Sequence, residues 1–422
     1  MQHFVRVLLR VLVLSLSSLI SLGGCQQNGG WDGSLEHLLL SQPERFSTVI
    51  QDVEKYRPQI IYTQIDRDEN NKPTFRSYSY RLDSGQYFYP ASTVKLPTAA
   101  LALEKLNRLD IAGLTRDTTM LTGAANETQT PAADDRTSAT GLPSIANYIR
   151  KVLLVSDNDA FNRLYEFVGQ EELNESLRRK GYVHSRIFHR LEVARDFESN
   201  RMTNPVVFVD GDSVVYKQDA QVSDADYQAG EPILMGRAEM VDGERLERPK
   251  DFSVNNEFAL QDLHDVVQAL IFPDDVAQEH RFDLTDDDYQ FLYRNMSGYP
   301  GESDIGAYSD AAKYPPGYVK FLMIGGSAPT IPENIRIFNK PGDAYGFMTD
   351  CAYIVDYENG VEFLLAATLY TNDNETFNDD NYEYDEIALP FLRDLGLAIY
   401  ELELKRERQF EPDLSRLQVD RF

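Results

Sequence analysis

The run "YFYPASTVKLPTAALALEKL", residues 87–106, sets Ser92 and Lys95 three positions apart at the head of an alanine-rich stretch. From Thr98 to Leu103 that stretch carries no charge. A serine at a helix start lies near the positive end of the helix dipole and near unpaired backbone N–H groups. A spacing of three places Lys95 one turn on, on the same face. Burial lowers a lysine's pKa, and a neutral amine can take the proton of a neighbouring hydroxyl. The pair is then a nucleophile and its base. The other reading is a capping serine and a lysine that snorkels to solvent. A chain this long contains about one S-x-x-K by chance, so placement carries the argument.

Two further stretches bear polar groups at points where helices or strands should end. "VLLVSDNDAF" puts Ser156, Asp157 and Asn158 between two helical patterns, where a turn aims a hydroxyl and an amide into a cleft. "IFNKPGDAYGF" puts Lys340, Pro341 and Gly342 at the end of a strand pattern. Taken singly, the first is a helix break and the second a turn. A similar "SVN" at Ser253–Asn255 shows how common such tripeptides are.

In this order the three pieces resemble the signature of serine β-lactamases and penicillin-binding proteins, S-x-x-K, S-D-N and K-T-G. Ser92 and Ser156 lie 64 residues apart, close to that family's interval, and Pro341 stands where the family has Thr or Ser. "HRLEVARDF" adds Arg190 and Glu192, 36 residues after Ser156, similar to the R-x-E-x-x-x-N loop of class A β-lactamases, with Asp196 in place of Asn. In isolation Arg190 and Glu192 read as a charged surface loop.

The resemblance implies that Ser92 attacks a strained amide or peptide carbonyl, with Lys95, or Glu192 through a water, accepting its proton. It implies that Ser156 passes a proton to the leaving nitrogen in the field of Lys340. Asn158 would bind the substrate's side-chain amide, Lys340, Gly342 and Asp343 would contribute to substrate binding, and the backbone N–H groups of Ser92 and Asp343 would form the oxyanion hole. Glu192 would activate the hydrolytic water. No metal or organic cofactor is implied. The ligand would be a small β-lactam or a peptidoglycan-derived peptide. A D-alanyl-D-alanine peptidase, another serine amidase or esterase, and a non-catalytic peptidoglycan-binding lipoprotein are the competing readings. Loss of the hydroxyl at Pro341 predicts weaker carboxylate recognition.

These residues need a scaffold, and the periodicity suggests one. Helical patterns run over about 35–56, from Ser92, over 144–154, 160–168, 171–179, 258–271 and 286–295, and over about 384–404. "QIIYTQIDRD" and "TFRSYSYRLD" read as strands, as do "NIRIFNK", "CAYIVDY" and "VEFLLAATLY". Strands at both ends with helices between predict an α+β fold. One mostly antiparallel sheet is expected, flanked by the terminal helices, with a helical subdomain. Residues 112–143 read as a long connection, and about 205–250 as an insertion opened by the hairpin "VVFVDGDSVVYK". The catalytic domain is expected over 35–404, with a tail from 405 to 422.

The ends and the bulk composition bound the setting. Arg6 and Arg10 precede an apolar run from Val11 to Leu22, too short to span a bilayer. "LGGC" then resembles a bacterial lipobox, which makes residues 1–24 a signal peptide, Cys25 the lipidated residue and 25–34 a tether. The expected location is the bacterial envelope, on the periplasmic side of the outer membrane. Cys351, the other cysteine, falls in an apolar strand pattern and has no disulfide partner if Cys25 is acylated. The formal charge of −27 argues against nucleic acid as a partner. The six histidines are scattered and no zinc motif occurs. The acidic run "NDNETFNDDNYEYDE" lacks the glycine and alternation of a calcium loop and reads as a solvated connection.

Overall fold

Two distant parts of the chain form the main sheet in a computed structural model that describes residues 33–193, 196–227, 230–326 and 330–418. Strands Gln59–Arg67 and Pro73–Tyr80 come from the N-terminal part. Strands Ile335–Asn339, Gly342–Ala344, Phe347–Asp356 and Val361–Tyr370 come from the C-terminal part. All pair antiparallel, and Gln59–Arg67 joins the two groups by lying against Val361–Tyr370, with Ile61 opposite Ala366. Both faces of the central strands are buried, which is why they read as nearly continuous β-branched and apolar runs.

Helices cover each face. Consecutive residues of a strand point to opposite sides. Tyr62 accordingly meets Glu403 of α11 (Leu389–Lys405) on one face, while Thr63 Oγ1 lies 2.9 Å from His264 Nε2 of α9 (Leu260–Ile271) on the other. The α11 face also holds three short N-terminal helices, α1 (Leu35–Leu40), α2 (Pro43–Ile50) and α3 (Val53–Tyr56), where one helix was expected. Pro43 breaks the run: it cannot donate to a preceding turn but fits the first turn of the next helix. Leu38 is half-buried, whereas Leu39, Phe46 and Val49 are buried.

The helical subdomain comprises α4 (Lys95–Leu109), α5 (Ile145–Leu154), α6 (Asn158–Val168) and α7 (Gln170–Arg179), with α8 (Phe197–Arg201) and α10 (Asp286–Ser297) beside it. Ala99, Ala100 and Ala102 of α4 are fully buried. Their small side chains let neighbouring helices close around α4, and its core is continuous with that of the sheet. Pro97, in the first turn of α4, costs no bond within the helix, because the first four N–H groups have no partner there.

Several elements differ from expectation. The 112–143 connection contains a strand, Thr119–Thr122, which pairs with Val206–Asp210 of the expected hairpin to make a three-stranded sheet. Residues 234–251 are short strands rather than irregular chain, and Ala238–Val241 is tied in parallel to Thr376–Phe377 within the acidic run. The last helix begins at Leu389 after a wide turn over Tyr384–Ala388. The expected tail buries Leu414 and Leu417 in the main core. Cys351 is buried in its strand, as expected. The expected signal peptide, Cys25 and nearly all of the tether lie outside the described residues.

Candidate active site

Ser92 lies in a single 3-10 turn, Ala91–Val94, immediately before α4. Ala91 adopts φ 47°, a left-handed conformation that costs a non-glycine residue about 1 kcal/mol and turns the chain sharply into the helix. Lys95 is fully buried and does not snorkel. Its Nζ donates to Ser92 Oγ (2.8 Å), Ser156 O (2.5 Å), Ser156 Oγ (3.1 Å) and Asn158 Oδ1 (2.5 Å). Burial, and next the charge of Lys340, hold its pKa well below the usual lysine range.

Ser156 and Asn158 reach Lys95 because α5 ends in a turn of fixed shape. Ser156 has φ 58°, and Asp157 caps α6 by accepting from Ala160 N (2.8 Å). The left-handed serine aims its hydroxyl between two amines, for Lys340 Nζ also donates to Ser156 Oγ (2.9 Å). Asn158 gives its Oδ1 to Lys95, which leaves its Nδ2 without a partner among the described residues.

Lys340 follows the strand Ile335–Asn339 and is fully buried; burial pushes its pKa down to about 7 against the opposing pull of Asp350 and Asp343. A network behind it holds the strand end. Asp350 accepts from Phe321 N, Leu322 N and Asn339 Nδ2, and Lys320 donates to Asn339 Oδ1. Pro341 offers its carbonyl to Lys340 Nζ (2.7 Å). Gly342 serves close approach: a Cβ there would stand 2.6 Å from Pro90 O and 2.7 Å from Ser92 N. Only glycine lets this strand lie against the serine turn, and that contact brings Asp343 to the cleft. Asp343 is exposed, and its charge acts on both lysines. The following turn is tied down by Tyr384, whose hydroxyl accepts from Gly346 N (2.8 Å).

Glu192 sits on the loop between the strand Ser185–Arg186 and α8. It is exposed, has φ 54°, and its charge acts on Lys95. It borders a cavity of about 440 Å³ with Tyr89, His189, Asn255 and Tyr345. Arg190 is not a surface charge. It is buried, donates from Nε to Glu166 Oε1 of α6 (2.9 Å), and from Nη2 to Met202 O (2.9 Å). Asp196 caps α8 by accepting from Ser199 N (2.7 Å).

Four buried asparagines that sequence reasoning did not single out grip this loop by its backbone. Asn162 accepts from Leu191 N (2.8 Å) and donates to Leu191 O (3.0 Å). Asn174 does the same to Ile187, Asn256 accepts from Phe188 N and His189 N, and Asn200 accepts from Arg190 N. A buried asparagine within an apolar helical pattern, as at Asn162 and Asn174, was the available signal. The "SVN" stretch lies apart from the lysine cluster, although its Asn255 borders the cavity beside Glu192. No cluster suited to a metal occurs among the described residues.

The site therefore joins a hydroxyl, two buried amines, a second hydroxyl between them and a carboxylate on a pinned loop. Such a set suits transfer of an acyl group to Ser92. Residues 44–225 match the family described as the beta-lactamase enzyme family. No curated protein matches the chain. Among solved structures, PBP-A is similar at 14% identity, over 87% of this chain and 96% of that one, with a TM-score of 0.50. A β-lactamase from Sphaerobacter thermophilus is similar at 13% identity, over 88% and 98%, with a TM-score of 0.47. A class A β-lactamase from Clostridium kluyveri is similar at 14%, over 84% and 97%, with a TM-score of 0.45. The family match thus covers residues 44–225, and the likeness to PBP-A is one of α+β fold.

Proposed function

We propose that the protein is a serine hydrolase that opens β-lactam amides through an acyl-enzyme on Ser92. The observation that carries this reading is the 2.8 Å contact between Ser92 Oγ and a fully buried Lys95 whose pKa is depressed. In its neutral form Lys95 accepts the hydroxyl proton as Oγ attacks the carbonyl carbon. The backbone N–H groups of Ser92 and Asp343 receive the developing oxyanion, a contribution of ~3 kcal/mol per donor. When the C–N bond breaks, Ser156 Oγ, held between Lys95 and Lys340, hands its proton to the nitrogen and regains one from an amine. Glu192 then takes a proton from water as that water attacks the ester, and Ser92 leaves with a proton.

A second reading is a D-alanyl-D-alanine peptidase, and two features favour it. Asp196, at the position of the loop asparagine, accepts through Oδ1 from Ser199 N at the start of α8. Pro341 lacks the hydroxyl that would help hold a substrate carboxylate. Both enzymes would acylate, but they differ in deacylation. Incubation with a penicillin followed by intact mass spectrometry separates them. Turnover by the wild type, with Glu192→Gln trapped as the adduct and deacylating at least ~100-fold more slowly, supports the lactamase. A durable wild-type adduct supports the peptidase. No adduct on any variant, with Ser92→Ala as the blank, leaves a peptidoglycan-binding protein. We also propose that Cys25 anchors the protein by lipid to the periplasmic side of the outer membrane, on the strength of "LGGC" after an apolar run.

A further inference from the structure

Away from the lysine cluster, a groove of about 860 Å³ runs between the end of α3, the Gly85–Tyr87 turn, residues 232–237 and the Asn372–Glu375 segment. Neither Ser92 nor any of the active-site lysines lines it. Its charged side chains form ion pairs: Lys55 with Asp373 (2.7 Å), Glu54 with Arg81 (2.7 Å), Arg237 with Glu375, and Glu257 with Arg186. Arg57 is the exception. The only hydrogen-bonding contact of its guanidinium among the described residues is from Nη1 to Met235 Sδ, 3.7 Å, a weak acceptor.

That lack of an anion partner is physically odd. The chain has 68 acidic residues against 41 basic ones, so carboxylates are abundant. Arg57 is half-buried, and burial pushes its pKa down. The side chain is also fixed at its root, because Arg57 has φ 46° and closes α3 through its backbone N–H to Val53 O. A half-buried guanidinium that lines the groove with most donors free of protein partners favours an anion that brings two coplanar oxygens. Glu54, Glu257, Asp373 and Glu375 around it repel a dianion more than a monoanion. Beside it, Pro232, Ile233 and Leu234 offer apolar surface, and Leu234 is 57% exposed.

We propose that this groove binds a small monocarboxylate with an apolar body, its carboxylate paired with Arg57 and its body lying on residues 232–235. The pairing is bidentate, and the apolar strand selects for a branched or aromatic group over a bare anion. Nothing in the acylation chemistry requires this site, so the two stand or fall separately.

Isothermal titration of the full chain with N-acetyl-L-leucine, N-acetyl-L-leucinamide and inorganic phosphate tests it. The carboxylate should bind at least ~10-fold more tightly than the neutral amide, on the scale of one charge-assisted hydrogen bond, and phosphate more weakly than the carboxylate. Arg57→Gln should abolish that preference. Leu234→Glu, which leaves Arg57 in place and sits on an exposed position, should weaken the carboxylate by a similar factor. Equal binding of acid and amide, undiminished binding in both variants, or phosphate binding as tightly as the acid would overturn the proposal. So would the absence of any saturable heat.

Discussion

At the scale of single residues, the site rests on amines kept from their usual charge. Lys340, with its pKa near 7, is cationic below that pH and neutral above it. In the proposed reaction, its attraction for a substrate carboxylate is present at low pH and lost as the pH rises through about 7. Lys95, whose pKa is lowered by burial and next by the charge of Lys340, has to be neutral to accept the serine proton in the proposed reaction, so it imposes an opposite, acidic limb. Stopped-flow acylation by a carboxylated β-lactam should fall above pH 7, by up to tenfold per unit, while its methyl ester shows no such fall. Parallel profiles would mean that Lys340 does not read the carboxylate. Pro341 bears on the same recognition. Pro341→Thr should improve kcat/KM for carboxylated substrates by up to ~10-fold, the effect of one hydrogen bond to a charged group. An unchanged value for every carboxylated β-lactam would assign Pro341 to shaping the strand end alone.

At the scale of elements, the loop that carries Glu192 is held as a unit by asparagines from α6, α7, α8 and residue 256. A buried amide bonded at both ends to one backbone residue is rigid, and removing it leaves a donor and an acceptor unsatisfied. Asn162→Ala should therefore cost ~1–3 kcal/mol of stability, measured by denaturant unfolding. It should also displace Glu192, the residue next to the gripped Leu191, without touching Ser92 or Lys95. Single-turnover kinetics should show deacylation slowed at least ~10-fold and acylation nearly unchanged. Equal losses in both steps would point to a general loosening of the subdomain. The serine turn depends on its own contact between elements. Gly342 lies against Ser92 N, so a side chain at this position would push the segment after Lys340 away from the serine turn.

At the scale of the whole molecule, the main sheet joins the N- and C-terminal parts of the described residues, since Gln59–Arg67 pairs with Val361–Tyr370. Residues beyond α11 return to the core through Leu414 and Leu417. The proposed lipid anchor on Cys25 is tested at this scale. Cys25→Ser should shift the protein from the membrane fraction to the soluble envelope fraction, measured by cell fractionation. Its retention with membranes would place the anchor elsewhere. An acyl chain binds by burying CH₂ groups at roughly 0.8 kcal/mol each, so its loss should be all-or-none.

Much of this arrangement was legible in the sequence, because it is local. Helical and strand periods located α4 to α7 and five strands of the main sheet. S-x-x-K, S-D-N and K-P-G each read as a short polar signal at an element's end. The family resemblance that their order carries implied that they meet, and Lys95, Ser156 and Lys340 do. What the tertiary structure decided is what joins residues far apart without any period. Arg190 finds its carboxylate at Glu166, on a helix that the local pattern gave no reason to choose. The strand Thr119–Thr122 exists because Val206–Asp210 offers it a partner, while its own composition resembles a loop. The short Gly342–Ala344 strand went unread because three residues have no pattern, and only the missing Cβ against Ser92 N explains its glycine. The burial of Lys95 and Lys340 followed the same rule. A lysine's sequence neighbours are compatible with snorkelling or with burial, and only the elements packed around it remove the water that would keep it charged.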